Sequence, residues 1–225
     1  MAPTPQVAPT VAMVVLTLTT GMVEAVSFLV LGPVFTAVQT GNLLFLGFAV
    51  AGEEGLSLLA PAGSLAGFTV GAVLGARLEA AVERRGGRWF TVALRTEAAL
   101  LALAALLLAG PASGAHGAVT AVVAAAMGLR NATTLRAGVP DLTTTVATRS
   151  LTALLAPPGR TARVAPDTAA RLRRAAAVAT MFAGGLLGAW LLRREVAAPV
   201  VLLTVAGVVL ATAAGAAAGV RRPPR

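Results

Sequence analysis

The chain lacks cysteine and lysine, and it has one histidine among its 225 residues. Without cysteine, neither disulfides nor thiolate metal ligands nor thiol nucleophiles are available. The histidine, His116, lies in a short polar connection, and a single imidazole does not make a metal site. The sequence also lacks the HExxH, G-x-S-x-G, Walker and Rossmann motifs. It therefore predicts no cofactor and no enzyme activity.

Charge is scarce as well. Charged residues make up 12% of the chain and hydrophobic residues 57%, with a mean hydropathy of +0.83. A soluble domain carries roughly 25% charged residues, because its surface must be solvated. The net charge of +9 comes from arginines that cluster between apolar runs, which is typical of membrane topology rather than of a nucleic-acid groove. These features predict a polytopic membrane protein in contact with the lipid bilayer, with no nucleic-acid partner.

Six apolar runs are long enough to cross a hydrocarbon core of about 30 Å, which takes roughly 20 helical residues. They are 10–31, 59–78, 89–110, 115–136, 174–192 and 198–219. Two further segments, 34–51 and 141–156, are shorter or more polar. The second contains Arg149, and an arginine at a helix centre costs about 2.5–3.5 kcal/mol on insertion.

The charges between the runs favour two segments that enter the membrane and return on the same side. The connections 79–88 and 157–174 are basic, as is the tail "RRPPR", whereas 51–57 is acidic. If all eight segments crossed, the two basic connections would lie on opposite sides, against the positive-inside bias. With 34–51 and 141–156 re-entrant, both basic connections and both termini are cytoplasmic, and only "RRE" at 193–195 departs from the trend. The predicted fold is all-α, with six transmembrane helices and two short re-entrant or broken helices.

The sequence also contains an internal repeat. Three stretches of the first half correspond, in the same order, to three stretches of the second half. They are "GMVEA" (21–25) and "GLRNA" (128–132), "FTAVQTGNL" (35–43) and "TTTVATRSL" (143–151), and "FTVGAVLGA" (68–76) and "FAGGLLGA" (182–189). We therefore interpret residues 1–225 as one transmembrane domain built from two repeats, about 10–110 and about 115–219. With three spans in each half, the second copy is inverted relative to the first, an arrangement typical of secondary transporters.

The ordered motifs G-x-x-acid-A, F-x-A-x-x-TGN-L, the Phe-Gly stretch and G-L-x-N-A resemble the YoaK-like family of bacterial integral membrane proteins, a domain of unknown function (1275). The resemblance covers most of the chain, from about Gly21 to the last span. It implies a multi-span membrane protein and supplies no substrate. Family members typically carry Asp where this chain has Glu24, and a Thr-Gly pair where it has Thr148 and Arg149.

Glu24 lies inside the first run, roughly 20 Å along a helix axis from its start. An acid within a span is costly and usually faces a cavity or a partner. It could bind a proton or cation and so couple transport to a gradient. Alternatively, it could form a structural contact with Arg95, Arg130 or a backbone donor, or be held neutral by burial.

A second group of candidates interrupts the apolar stretch "FTAVQTGNLLFLG", namely Gln39, Thr40, Gly41 and Asn42. Their amide and hydroxyl groups suit a polar or ionic ligand, and glycine allows a positive φ or a close backbone approach. Backbone freed by a broken helix has to face a cavity or the protein, because lipid cannot satisfy it. The alternative is that these residues hydrogen-bond between packed helices.

The second repeat supplies counterparts of these residues: Asn131, Thr144, Thr148 and Arg149. Together with Arg130, Arg149 could bind an anionic group through a bidentate guanidinium. Both arginines could equally extend to the cytoplasmic interface. The substrate-binding hypothesis comprises Glu24, Gln39, Thr40, Gly41, Asn42, Asn131, Thr144, Thr148 and Arg149, with no metal ligand among them.

Glycines recur every four residues in 59–78, at Gly63, Gly67, Gly71 and Gly75. Small residues at this spacing favour close helix packing over ligand binding. The partner helix could belong to the same chain, or Gly67, Gly71 and Gly75 could form the seam of a homo-oligomer. The sequence leaves both alternatives open.

The leading functional hypothesis is a secondary transporter or permease of the bacterial inner membrane for a small polar or charged solute, with Glu24 as the coupling residue. The competing hypothesis is a membrane scaffold or accessory subunit without transport. An intramembrane enzyme ranks below both, because it would need two carboxylates or a nucleophile–base pair at depth. The sequence indicates only Glu24 as clearly buried.

The topology is testable because the natural chain has no cysteine to remove. Single cysteines introduced at positions 84 and 160 are expected to react with a membrane-impermeant maleimide from the cytoplasmic side only, when right-side-out and inverted vesicles are compared. Labelling of the two positions from opposite sides would contradict the re-entrant arrangement and restore eight crossings.

Overall fold

The computed structural model describes residues 7–111, 116–138, 150–152, 154 and 168–219, and the longer described elements are all helices. The helices are α1 (Val7–Val26, continued by a π-type turn over Ser27–Leu31), α2 (Gln39–Val50), α3 (Leu59–Arg84), α4 (Trp89–Ala109), α5 (His116–Ala137), α6 (Thr168–Arg193) and α7 (Ala198–Gly219). The predicted all-α class is confirmed.

Six of these helices are long and apolar enough to cross a membrane, as judged by length and composition. The spans are Thr10–Leu31, Leu59–Arg84, Trp89–Ala109, His116–Ala137, Thr168–Arg193 and Ala198–Ala218. The six predicted spans are therefore confirmed. Helix α2 has 12 residues, so it extends roughly 18 Å and is too short to cross. Most of the second predicted re-entrant segment, 141–156, lies outside the described residues.

Helix α1 is the most enclosed element of the bundle. In its most apolar stretch 67% of the residues are buried, against 22% in α3 and 17% in α6. Its buried threonines satisfy their hydroxyls within the helix; Thr17 donates to the carbonyl of Met13 at 2.8 Å and Thr20 to that of Leu16 at 2.8 Å. The outer faces of α3 and α6 carry leucine, valine and phenylalanine, which suits contact with lipid.

Helices α3 and α5 approach closely because glycines line their contact. A methyl group placed on Gly71 would lie 2.0 Å from the carbonyl oxygen of Ala125, and one on Gly128 would lie 2.0 Å from that of Phe68. Gly67 and Gly75 also face α5. The predicted packing role is thus confirmed, and the partner is in the same chain. These glycines are covered by α5 and are not free to form a seam with a second copy.

Helices α1 and α6 form an equivalent close contact. A methyl group on Gly184 would lie 2.0 Å from the carbonyl oxygen of Leu18, and one on Gly21 would lie 2.5 Å from that of Met181. Gly188 also faces α1. The two backbones can approach so closely only where no side chain lies between them. Both helix pairs therefore depend on glycine.

At one end of the bundle, arginine side chains connect the ends of neighbouring helices. The Arg136 guanidinium at the end of α5 contacts Glu83 near the end of α3, and it lies 4.6 Å from the centre of the Trp89 ring at the start of α4. Arg88 donates to two carbonyls in the last turn of α7, at 3.0 and 2.6 Å. A cation is favourable at a helix C-terminus, where carbonyls lack helical partners. The ends of α3, α5 and α7 therefore lie together.

Gly63 departs from the sequence prediction, and it provides a matched control for the α3–α5 contact. It shares α3 with the other glycines, but a methyl group there would meet nothing within 4 Å. We expect Gly71→Ala to lower the free energy of unfolding by about 1–3 kcal/mol, the usual cost of overpacking. Gly63→Ala should instead be neutral or stabilise by about 0.5–1 kcal/mol.

Reversible unfolding of both variants in mixed micelles checks this prediction. Equal stability of Gly71→Ala and Gly63→Ala would show that the close α3–α5 contact does not form.

Candidate functional site

The candidate site is built where the first span ends and the chain turns back. Gly32 has a φ of 126°, a conformation that L residues rarely adopt, and Pro33 cannot continue the helical hydrogen bonds. The Ser27 hydroxyl then donates to the carbonyl of Val34 at 2.8 Å. Residues 32–38 therefore run as irregular backbone beside the last turns of the first span, before α2 begins at Gln39.

Glu24 holds this irregular segment through its carboxylate. The amide of Thr36 donates to Oε1 at 3.1 Å and lies 3.3 Å from Oε2, and the Thr36 hydroxyl donates to Oε1 at 3.3 Å. The amide of Ala37 also donates to Oε1. Both Glu24 and Thr36 are buried. Of the alternatives raised by the sequence, the backbone donor is the one observed, because Arg130 pairs elsewhere and Arg95 faces outward from α4.

The amides bound by Glu24 lie immediately before the first residues of α2. A carboxylate there is favoured, because the N–H groups at a helix N-terminus lack partners and carry partial positive charge. Glu24 thus places its carboxyl oxygens at the amides that lie just before the start of α2. A proton, a cation or a displacing anion would each change how strongly this carboxylate holds the amides.

Asn42 fastens the same segment from the other side. Its Oδ1 accepts the amide of Phe35 at 2.9 Å, and its Nδ2 donates to the Phe35 carbonyl at 2.6 Å. Nδ2 also lies 2.7 Å from Gln39 Oε1 and 3.1 Å from Ser64 Oγ on α3. Asn42 is 0% exposed. The side-chain amide thus replaces the helical hydrogen bonds that Phe35 has lost.

Gln39 and Ser64 complete the network. Gln39 Nε2 donates to the carbonyl of Thr36 at 2.8 Å and to Ser64 Oγ at 3.2 Å. The Ser64 hydroxyl donates to the carbonyl of Phe35 at 2.6 Å. Ser64 was not among the sequence candidates, since a serine in a glycine-rich apolar helix resembles a packing residue. Only its tertiary contact with Asn42 distinguishes it.

Thr40 and Gly41 differ from the rest of the predicted set. Thr40 is exposed on α2, so it lies outside the network of Asn42 and Gln39. A methyl group on Gly41 would lie 2.7 Å from Cδ2 of Phe35, so this glycine makes room for an aromatic ring rather than for a turn. The Phe35 ring stacks on two other phenylalanine rings, with centroids 5.2 and 6.0 Å apart; these are Phe28 and Phe45.

The second-half candidates are only partly described. Asn131 is half-buried on α5, while Thr144, Thr148 and Arg149 lie outside the described residues. Arg130 neither extends to the interface nor presents a free fork for an anion. Its Nε donates to Glu97 Oε1 at 2.9 Å, and its Nη2 contacts the same oxygen.

Two further acids are buried, so the expectation that Glu24 alone is clearly buried was wrong. Glu97 on α4 is 0% exposed and Glu79 on α3 is 1% exposed. Glu79 accepts the Thr133 hydroxyl and lies 3.8 Å from Arg136. Glu97 stands within the third apolar run, so its position in the sequence was a signal of the same kind as that of Glu24. Within the described residues, no three histidine, aspartate or glutamate side chains lie together as a metal would require.

The chain resembles known proteins over most of its length. The family model described as "Protein of unknown function (DUF1275)" matches residues 12–215. The UPF0700 transmembrane protein YoaK of Bacillus subtilis (strain 168) is 29% identical over 143 residues, which cover 62% of this chain and 63% of that protein. The match thus spans less than two thirds of that relative's length. No solved structure matches.

The structural part of the network is tested by Asn42→Ala, with Thr40→Ala as a control from the same helix. Removing the Asn42 amide leaves the amide of Phe35 without its acceptor, which costs about 1–3 kcal/mol. Thr40→Ala should change stability little, because the side chain is exposed. Thermal unfolding of both purified variants measures the difference. Equal melting temperatures would contradict the network.

Proposed function

This chain belongs to the DUF1275 family of proteins, and we propose that it is a secondary transporter or permease for a small polar or charged solute. The observation that carries the proposal is the irregular backbone of residues 32–38, which a buried acid holds beside the first span. Non-helical backbone at membrane depth occurs only where protein buries it or where it lines a cavity. Secondary transporters place their solute and ion sites at such interrupted helices.

The charge of Glu24 supplies a means of coupling. As a carboxylate, Glu24 accepts hydrogen bonds from the amides of Thr36 and Ala37. A proton or cation that neutralises the carboxylate weakens these bonds and loosens the start of α2. Binding of a proton or cation and movement of the segment are then linked, as gradient-driven transport requires.

The two glycine contacts support the proposed inverted repeats. Gly21 and Gly128 are aligned in the repeat, and each lies against the glycine-bearing helix of the opposite half, α6 and α3 respectively. Such an exchange of contacts is expected when two copies surround a common axis. In this proposal the solute binds between the halves, near Glu24 and Asn42, with Asn131 and the predicted second segment contributing from the other half.

The orientation is proposed from charge. Arg84 and Arg85 lie at the end of α3, Arg171 stands near the start of α6, and all three are exposed. The positive-inside bias assigns this end to the cytoplasm. We accordingly propose a location in the bacterial inner membrane with both termini cytoplasmic.

A membrane scaffold or accessory subunit is the second candidate, and a specific observation favours it. The polar side chains of Asn42, Gln39 and Ser64 bond to one another and to the backbone of Phe35 and Thr36. A network closed in this way stabilises a fold without any solute. Transport requires that the network open, and this is where the two functions differ.

The test begins with a thermal-shift screen of the purified protein against a panel of small polar and charged solutes. Any solute that stabilises the protein is then tested for uptake by proteoliposomes under an imposed proton or sodium gradient. Uptake by the wild type is expected, and Glu24→Gln should reduce it to the level of empty liposomes. Glutamine retains an acceptor for the amides, so the variant should remain folded.

Glu53→Gln, which changes an exposed acid in the α2–α3 connection, is the matched control and should transport as the wild type does. Gradient-driven uptake by Glu24→Gln at the wild-type rate would contradict the coupling role. If Glu24→Gln and Asn42→Ala both prevent accumulation of folded protein and no solute stabilises the wild type, the scaffold function is favoured.

A further inference from the structure

A buried ion pair lies in the bundle apart from the irregular segment. Arg130 on α5 and Glu97 on α4 are 1% and 0% exposed. Two guanidinium nitrogens, Nε and Nη2, donate to one carboxylate oxygen, Glu97 Oε1. The other oxygen, Oε2, is buried and has no hydrogen-bond partner among the described residues. A carboxylate in a bidentate pair normally uses both oxygens, so this geometry leaves one acceptor free.

The guanidinium is held by a third helix as well. Its Nη1 donates to the carbonyl of Leu16 at 2.9 Å and to the Thr20 hydroxyl at 2.8 Å, both on α1. Arg130 therefore keeps partners on α1 when Glu97 is neutral, whereas Glu97 has no partner besides Arg130 in the described part of the chain. The pair joins α4 to α5 and α1, which come from both predicted repeats.

We propose that Glu97 Oε2 is a second proton-binding site, in the interior of the bundle and separate from Glu24. A proton taken from water forms an O–H bond at Oε2 and converts the carboxylate into a neutral acid; the same proton is returned to water when the pair re-forms. Arg130 then remains bound to α1 through Leu16 and Thr20, and the attraction that ties α4 to α5 is weakened.

Other charged groups around Glu97 are accounted for among the described residues. Helix α7 carries no titratable side chain, and α1 carries Glu24, whose oxygens receive the amides of Thr36 and Ala37. On α4 itself, Arg95 faces outward. Arg130 is thus the charge that Glu97 faces from α5.

Helix α3 adds four charged residues, and none is directed to Glu97. Its acids contact Thr133 and Arg136 on α5, and its arginines are exposed; these residues are Glu79, Glu83, Arg77 and Arg84. The neutralisation of Glu97 therefore acts on one ion pair.

The role of this site in transport rests on the proposed function, but proton binding does not. The test is difference infrared spectroscopy of purified protein in nanodiscs, between neutral and acidic pH. It is carried out in a variant that combines Glu24→Gln with Glu79→Gln, so that the two other buried acids do not contribute. This variant is expected to gain the carbonyl stretch of a protonated carboxylic acid in an apolar environment.

The band is assigned to Glu97 by a further substitution in the same background. Glu97→Gln alone, like protonation of Glu97, leaves Arg130 bound to α1 without a counter-charge and weakens the contact between α4 and α5. Glu97→Gln is therefore combined with Arg130→Met, which removes both charges and approximately keeps the volume. The Glu97 band should be missing from the folded protein that carries these changes. Its persistence there, or its absence from the folded parent variant throughout the titration, would overturn the proposal.

The result is independent of whether a solute is carried. A Glu97 band in a protein that fails every uptake assay would confirm the proton site and contradict the transport proposal. Uptake by a protein that lacks the Glu97 band would support the transport proposal and contradict the proposed proton site.

Discussion

The structure depends on one constraint, which is that every backbone N–H and C=O group buried away from water needs a partner supplied by the protein. Regular helices meet this need by themselves, but residues 32–38 do not. Glu24, Asn42 and Ser64 meet it instead, by binding the backbone of this segment between Phe35 and Ala37. The polar residues in an otherwise apolar stretch are therefore explained first by the backbone they satisfy.

Close approach of the spans is a second feature of the assembly. Gly71 and Gly128 allow close approach between α3 and α5, and Gly21 and Gly184 allow it between α1 and α6. The central helix α1 contacts the irregular segment through Glu24. It also contacts the buried ion pair, because the carbonyl of Leu16 accepts a hydrogen bond from Arg130. Glu24 and Glu97 are thus connected through a single helix.

The sequence predicted what depends on local composition. Apolar length located the six spans, and glycine spacing indicated close packing. The partner of each polar residue could not be predicted, because partners are brought together by tertiary contacts. Arg130 and Glu97 are 33 residues apart, and the exposure of Thr40 beside buried Asn42 depends on which face α2 turns to α3. Gly63 shares the four-residue spacing but lies beyond the reach of α5.

The hold of Glu24 on the irregular segment is tested most directly by hydrogen exchange in nanodiscs. In wild type the amides of Thr36 and Ala37 should exchange slowly, and Glu24→Ala should accelerate their exchange while the interior of α5 stays protected. Glu53→Ala should leave all of these rates unchanged. Equal protection of the two amides in wild type and Glu24→Ala would contradict this role of Glu24.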